Sequence, residues 1–260
     1  MSPGDSGNGL LSEGTAVRVL TLNRPESRNA LDGILHEALL SAIRAIASEP
    51  EVRAVVITGT GDVFSAGGDF GLIQRMQVDP ALRRATLDTS RSLFWALLAL
   101  DVPVVAAVNG PAVGAGATLA LLCDIVLMAD DAYLAEPRVK IGLVPGDGGA
   151  IAWPILAGLP AARVYLLTGD RMPALEAHRL GLIHRVVPRH ELHAESMALA
   201  KRLSELSSHS VRATKRALNL QLVAAANAAL ESTLSAEEES FDTPEVHALV
   251  EAQAERRKGG

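Results

Sequence analysis

The chain has 260 residues, 48% hydrophobic and only 3% aromatic, with 24 Lys and Arg against 30 Asp and Glu for a formal charge of -6. That supplies a sizeable aliphatic core, and the acidic balance argues against a nucleic-acid binder, which needs Lys and Arg to neutralise phosphates. No apolar run reaches membrane-spanning length, because Asn109, Asp124 and Asp130 break the most hydrophobic region; the lone Cys123 excludes an internal disulfide and fits a reducing, cytoplasmic compartment.

The start, MSPGDSGNG, lacks the basic and apolar blocks of a signal peptide, so residues 1–9 read as a flexible tail. Val17 to Leu22 reads as a strand ended by the turn NRPES. From Asn29 to Glu49 apolar residues recur at Leu31, Leu35, Leu39, Ala42 and Ile46, a helical spacing. RAVVITG is a second strand and runs into the glycine-rich turn Phe64 to Phe70, FSAGGDF. Gly71 to Ser92 reads as a mobile helix carrying Leu72, Ile73, Met76 and Leu82. Val102 to Gly110 is a third strand, followed by a turn on Gly114 and Gly116 and an Ala/Leu-rich helix; DIVLMADD and AYLAE are further short strands. Strand, helix and strand in alternation predict an α/β fold with right-handed crossovers, its sheet covered on both faces.

Beyond Gly149 the character changes. PAARVYLLTG, MPALEAHRLGL and nearly all of Pro188 to Lys258 have helical period, and only Leu182 to Val187 looks extended. The chain therefore divides into a core, 10–187, and a helical region, 188–260. Ala224 to Ala229 is almost all small residues, suited to close helix packing or a subunit contact.

The chemistry concentrates in the two glycine turns. Each follows an apolar strand, and the second opens a helix, where backbone N–H groups are bared and negative charge is favoured. Two such turns can aim two N–H donors at one carbonyl oxygen as it becomes an oxyanion. Other motifs carry less. GPAVGAG does not meet dinucleotide-fingerprint spacing. His190 and His193 lack further ligands at metal-site spacing and read as solvent-facing, so no metal is expected. His36, His178, His184, His209 and His247 are scattered, none beside a recognisable nucleophile. Ser65 reads as a small residue beside a ligand, Cys123 as buried packing, and the acidic run Glu237 to Glu239 as a solvated helix face.

Five segments now stand in order: LNRPESRNAL, AVVITGTGDVFSAGGDF, the stretch Val102 to Gly149, LLTGDRMPALEAHRLGLIHRVV, and the helical tail. In them the chain resembles the crotonase, or enoyl-CoA hydratase/isomerase, superfamily over nearly its whole length. The resemblance implies a spiral of ββα units with a C-terminal helical trimerisation region, trimers or dimers of trimers, and an acyl-CoA thioester as ligand, coenzyme A being part of the substrate and no separate cofactor. It places the oxyanion donors on Gly68 and on Ala115, where relatives usually carry glycine; alanine keeps the N–H if the dihedrals there suit a β-carbon. Coenzyme A contacts would come from Arg24 to Ala30 and from Ala66 through Gly67 and Asp69 to Phe70, with Gly114 beside them. Arg24 and Arg28 either pair with phosphates or are surface arginines, and Asp69 either caps its loop or meets the ligand. The segment Gly71 to Ser92 would line an apolar acyl pocket. The basic end ERRKGG either reaches the phosphates of a neighbouring subunit or frays.

The pattern breaks at the acids. Hydratases of this family use two glutamates, and here Thr118 and Arg138 occupy those positions. A positioned general acid or base is worth roughly 10²–10⁴ in rate, so ordinary hydration is expected to be slow or absent. Asp147 either faces the pocket as a single base or caps the following helix. Glu136 reads as structural, paired with Arg138 or Arg163, and Arg138 itself either recognises a substrate carboxylate or bridges to Glu136. One acid favours isomerase-type or other enolate chemistry, decarboxylation and hydrolysis among it, and a non-catalytic acyl-CoA binder is the reading from a different class.

Overall fold

In the computed structural model, residues 7–258 are described, with side chains up to Glu255. Nine strands occur among them: β1 (Leu10–Glu13), β2 (Val17–Leu22), β3 (Ala54–Gly59), β4 (Val104–Val108), β5 (Ala112–Val113), β6 (Ile125–Ala129), β7 (Tyr133–Ala135), β8 (Arg171–Pro173) and β9 (Arg185–Val187). The helices are α1 (Gly33–Ala47), α2 (Phe70–Val78), α3 (Pro80–Ala99), α4 (Ala115–Leu121), α5 (Gly149–Ala157), α6 (Leu159–Thr168), α7 (Ala174–Arg179), α8 (Leu192–Glu205), α9 (Ser208–Ser240) and α10 (Pro244–Lys258).

The larger sheet runs β1-β2-β3-β4-β6-β9, with β1 antiparallel to β2 and every later pair parallel. All five residues of β4 are buried, as a central strand covered on both faces requires. A smaller sheet, β5-β7-β8, lies beside it, and two isolated parallel bridges extend its pattern: Leu31 with Gly68, and Ser65 with Ala112. The repeat is then plain. Each unit sends a long strand through the large sheet, a short extended piece through the small one, and a helix back: β2, Leu31, α1; β3, Ser65 to Gly68, α2; β4, β5, α4; β6, β7, α5. This is the expected spiral of ββα units.

Several boundaries differ from expectation. Gly9 O accepts from Asn23 N at 2.7 Å and leads into the hairpin of β1, so 7–9 is anchored, while residues 1–6 of the expected tail lie outside the described residues. The first helix starts at Gly33 and not at Asn29, because Arg28 and Asn29 are left-handed (φ 57° and 55°) and Asp32 caps, accepting from Leu35 N at 2.8 Å. Gly71 to Ser92 is two helices: Asp79 caps α3 by accepting from Ala81 N and Leu82 N, and Pro80, with no N–H to give, starts a new helix. Met172 and Pro173, at the start of a segment expected to be helical, belong instead to β8, which pairs with β7. Cys123 is buried as expected, with Sγ 3.3 Å from Leu119 O.

The helical region after Pro188 is not a layer apart. Helix α8 packs across β2, β3, β4 and β6, with Leu192, Ser196 and Ala200 almost fully buried, and so completes one face of the sheet. Helix α9 packs on α3 and α5. Lys215 of α9 is buried, its Nζ 2.7 Å from Asp124 Oδ2 and 2.8 Å from Val102 O, while Asp124 Oδ2 also accepts from Val104 N at 2.7 Å. This cation ties α9 to the start of β4. Lys215→Met strands a carboxylate and a carbonyl, so we expect a loss of roughly 2 kcal/mol, or about 4–8 °C in melting temperature by calorimetry.

Candidate active site

The two glycine turns are one piece of backbone architecture. Ser65 N donates to Pro111 O (3.1 Å) and Val113 N to Ser65 O (3.0 Å), while Leu31 N donates to Gly67 O (2.7 Å) and Asp69 N to Leu31 O (2.9 Å). The segment Ser65 to Asp69 is therefore held from one side by residues 28–31 and from the other by residues 111–113. Glycine is needed where they touch. Gly67 has φ +87°, and a β-carbon there would stand 2.5 Å from Val113 O; one on Gly116 would stand 2.6 Å from the Ser65 β-carbon. Gly114 turns the chain into α4 at φ 52°, ψ -123°, a conformation that L side chains rarely adopt.

In a parallel ladder the residue between two bonded neighbours points its own N–H the other way. Leu31 bonds Gly67 and Asp69, so the Gly68 N–H faces away from Leu31. Ala115 is the first residue of α4, where an N–H has no intrahelical partner. Neither N–H has a hydrogen-bond partner among the described residues, and both residues line a cavity of about 330 Å³. Ala115 has negative φ, so its β-carbon costs nothing and the donor is retained.

Around the turns sit Ala66, Gly67, Asp69, Phe70 and Gly114, all lining the cavity; its deeper wall is apolar, with Leu31, Leu72, Ile73, Met76, Leu143 and Phe241. A second groove, lined by Glu26, Ser27, Arg28, Ala30 and Gly71, shares Ala66, Gly68, Asp69 and Phe70 with the cavity and leads to the surface. Arg28 is exposed beside it. Arg24 is engaged inside the turn, 3.1 Å from Asp32 Oδ2 and donating to Ala30 O at 2.6 Å. Asp69 caps α2 by accepting from Leu72 N at 2.9 Å. Ser65 is fully buried behind the loop, donating to Asn29 O, and is not part of the cavity wall.

Asp147 lines the cavity and does not cap α5, whose cap is Gly148. Arg138 grips it with both ends of its guanidinium, Nη1 to Oδ1 at 2.7 Å and Nη2 to Oδ2, and Thr118 Oγ1 donates to Oδ1 at 3.2 Å. Arg138 also lies 3.7 Å from Glu136 Oε2 and 3.8 Å from Glu237 Oε1. Arg163 has no ion-pair partner among the described residues, so Glu136 pairs with Arg138 alone. The Glu136 side chain is enclosed and does not line the cavity, although it lies beneath Gly114 and Gly149.

Two residues enter that the linear pattern did not point to. Glu237, expected on a solvated face, is buried against Arg138, and its Oε2 accepts from Gly146 N at 3.1 Å; only Glu239 of that run is exposed. His36 is 6% exposed and lines the cavity beside Asp147. His190 and His193 are exposed as expected. The side chains of the basic end beyond Glu255 lie outside the described residues.

One cation faces three carboxylates here. Burial pushes Glu237 up to about 8 and Glu136 up to about 7, each also raised by the Asp147 charge and only partly relieved by Arg138. For Asp147 burial works upward too, but the Arg138 fork and the Thr118 hydroxyl outweigh it and hold the carboxyl below its ordinary value. Asp147 and Arg138 are thus the charged pair near neutral pH. A substrate carboxylate at Arg138 would meet a cation that is already surrounded by acids.

Two outcomes follow. Gly67→Ala puts a β-carbon into Val113 O at positive φ, which we expect to cost about 1–3 kcal/mol, as thermal melts of the variant check. The native state holds protons on Glu136 and Glu237 that the unfolded chain, near the ordinary 4.5, has released. The contribution of these two groups to stability should therefore fall as pH rises from about 4.5 through 8, and Glu237→Gln should flatten the upper part of that fall, read as the difference from wild type in melts recorded between pH 5 and 9.

Comparison with known proteins identifies the family. The family model described as enoyl-CoA hydratase/isomerase matches residues 12–259. A crystal structure of an enoyl-CoA hydratase/isomerase from Mycobacterium paratuberculosis superposes with a TM-score of 0.92 at 42% identity, covering 96% of this chain and 100% of that one. A structure of a monofunctional enoyl CoA isomerase from M. smegmatis gives a TM-score of 0.71 at 32% identity, over 88% of this chain and 100% of that one. A putative enoyl-CoA hydratase of Thermus thermophilus is 42% identical over 207 residues, 78% of this chain and 80% of the relative. With the fold of its solved neighbours and a family model matched across almost its full length, the chain belongs to the enoyl-CoA hydratase/isomerase family, the crotonase superfamily.

Proposed function

We propose that this protein acts on an acyl-CoA thioester by stabilising its enolate, with the thioester oxygen between the N–H groups of Gly68 and Ala115. The observation that carries this reading is the pair of unfilled N–H donors presented by two interlocked turns at the mouth of an apolar cavity. The acyl chain fits the apolar wall of Leu72, Ile73, Met76 and Leu143, and the groove past Ala30 and Ala66 to Arg28 leads outward for the nucleotide part, where a guanidinium matches phosphate. Arg24, already engaged by Asp32, braces that turn.

Hydration of the usual kind needs two carboxylates to hold water and shuttle a proton, and their positions carry Thr118 and Arg138. Double-bond migration or other enolate chemistry is the better fit. It is redox-neutral and needs no co-substrate beyond the thioester, only a group to carry the proton. In this reading Asp147 supplies fixed negative charge beside the substrate, because its oxygens are already gripped by Arg138 and Thr118. That same grip favours one alternative, a non-catalytic acyl-CoA binder with its acid neutralised. We also propose assembly as a homotrimer or a dimer of trimers, through a surface that leaves Leu159, Val164, Leu167 and Leu175 exposed in the isolated chain.

Product analysis by NMR in D₂O with 2-enoyl- and 3-enoyl-CoA thioesters tests the reading. We expect double-bond migration, or deuterium at C2 or C4, without a 3-hydroxy product. Rapid 3-hydroxyacyl-CoA formation overturns the preference against hydration, and binding without turnover supports the binder. Ala115→Pro removes one donor at a helix position that proline suits. It should lower the rate roughly 10²–10³-fold with the melting temperature little changed.

A further inference from the structure

Enolate chemistry needs a group that takes a proton from carbon, and the carboxylate nearest the oxyanion turns is poorly placed to be free for it. Both Asp147 oxygens accept hydrogen bonds from Arg138, and Oδ1 accepts from Thr118 as well. The substrate would have to break that fork before the acid could act. Glu136 does not reach the cavity wall, and Glu237 is drawn toward Arg138 and the Gly146 N–H.

His36 is the remaining group. It lies on the first turns of α1 behind Asp32, the cap of that helix, and is enclosed between the cavity and a small void that it shares with Ala115, Thr118 and Asp147. Its Nδ1 is fully buried with no hydrogen-bond partner among the described residues, and no described ion pair includes its ring. A histidine with a purely structural role at 6% exposure is expected to spend its nitrogens on the surrounding protein. This one keeps the ring uncommitted beside the oxyanion donors.

We infer that His36 is the proton-transfer group of this site, acting on the carbon next to the thioester carbonyl. The inference rests on the acyl-CoA reading above and assigns its base. In the step proposed, a C2–H bond of a 3-enoyl thioester breaks and the proton passes to the imidazole. The electron pair moves into the carbonyl, giving a dienolate whose oxygen is held by the Gly68 and Ala115 N–H groups. Return of the same proton to C4 gives the 2-enoyl isomer, and return to C2 gives exchange. Arg138 and Thr118 are then positioning residues: they hold Asp147 ionised where it steadies the imidazolium formed in transit.

The surroundings keep the imidazole ready to accept. Burial lowers its pKa most, and Arg138 adds to that; Asp147, which lines the same void, and Asp32 and Glu37 at the start of its own helix work the other way without restoring the ordinary value. The residues of α3 that share the void, Ser90, Leu93, Phe94 and Leu97, carry no charge. The ring is therefore neutral at pH 7 and becomes unavailable only on acidification.

The test uses the full chain, a 3-enoyl-CoA and its 2-enoyl isomer, with deuterium incorporation at C2 and C4 read by NMR and thioester affinity by calorimetry. His36→Gln and His36→Asn should each lower exchange roughly 10²–10⁴-fold while affinity stays within about threefold. The wild-type rate should fall on acidification with a single-proton limb whose midpoint lies below the ordinary imidazole value of 6.5, and matches the His36 titration followed by NMR on the wild-type protein, which needs no folded variant. Exchange that survives in a folded His36→Gln, or an acid limb that tracks no imidazole, overturns the assignment. So does a loss confined to Asp147→Asn. Wild-type protein that binds thioesters but exchanges no proton overturns it while leaving thioester binding intact. Absence of any thioester binding overturns the functional reading on which it rests.

Discussion

Everything at this site depends on two backbone turns lying in contact, and the contact is made by hydrogen bonds that belong to the sheet. Ser65 bonds Pro111 and Val113, and Leu31 bonds Gly67 and Asp69, so the first turn is a strand in all but length. Its neighbours come from different repeats of the spiral. A change in any one repeat therefore shifts the Gly68 N–H relative to the Ala115 N–H, and the oxyanion role proposed for them depends on that spacing. Asn29 adds to this from below. It is fully buried, its amide donates to Thr60 O and Val63 O, and its Oδ1 accepts from Arg24 N. One left-handed residue thus anchors the turn before α1 to the turn after β3.

The second constraint is electrostatic. Four ionisable groups, Arg138, Glu136, Asp147 and Glu237, come together with hardly any contact with water. Four charges would leave a net of -2 in a low-dielectric pocket, which is untenable without compensation. The protein relieves this by burial that raises Glu136 and Glu237 far above the ordinary carboxylate range, which favours their protonated forms, and by one well-formed pair, Arg138 with Asp147. Arginine at position 138 thus sets the state of the whole cluster, a fixed ion pair with the unpartnered Nδ1 of His36 nearby.

The sequence made the spiral and the two turns legible because their signals are local: apolar strands, glycines at short spacing and a helix at once after. The same local reading explains what it missed. Glu237 stands in a run of three acids, which by composition is a solvated face, and only the packing of α9 across the cavity buries the first of them. His36 fills one position of the apolar stripe of α1, between Leu35 and Leu39, and nothing nearby in the chain marks it. Arg24 sits in the right turn, but Asp32, eight positions on, claims its charge. The break at Asp79 and Pro80 was readable from the cap-and-proline pair, yet apolar spacing on either side hid it.

The end of the chain completes what its middle begins. A small cluster apart from the main core joins Leu72 and Met76 of α2 with Leu143, Phe241, and Val246 and Val250 of α10. Glu237, Phe241 and Gln253 stand in the wall of the cavity that the two glycine turns also line. Arg83 of α3, buried and bidentate to Asp242 at 3.0 and 3.1 Å, lies over the Phe241 ring and fixes the point where α9 hands over to α10. The turns are rigid because the sheet bonds them. The wall built by α2, α9 and α10 is held by side-chain packing, by ion pairs such as Arg83 with Asp242 and by the Gln77 Nε2 bond to Val246 O, contacts that open at lower cost than a parallel ladder. The cavity wall can therefore change through α2, α9 and α10 without disturbing the two turns, so in the proposed function the contacts to an acyl chain are separable from the two N–H groups.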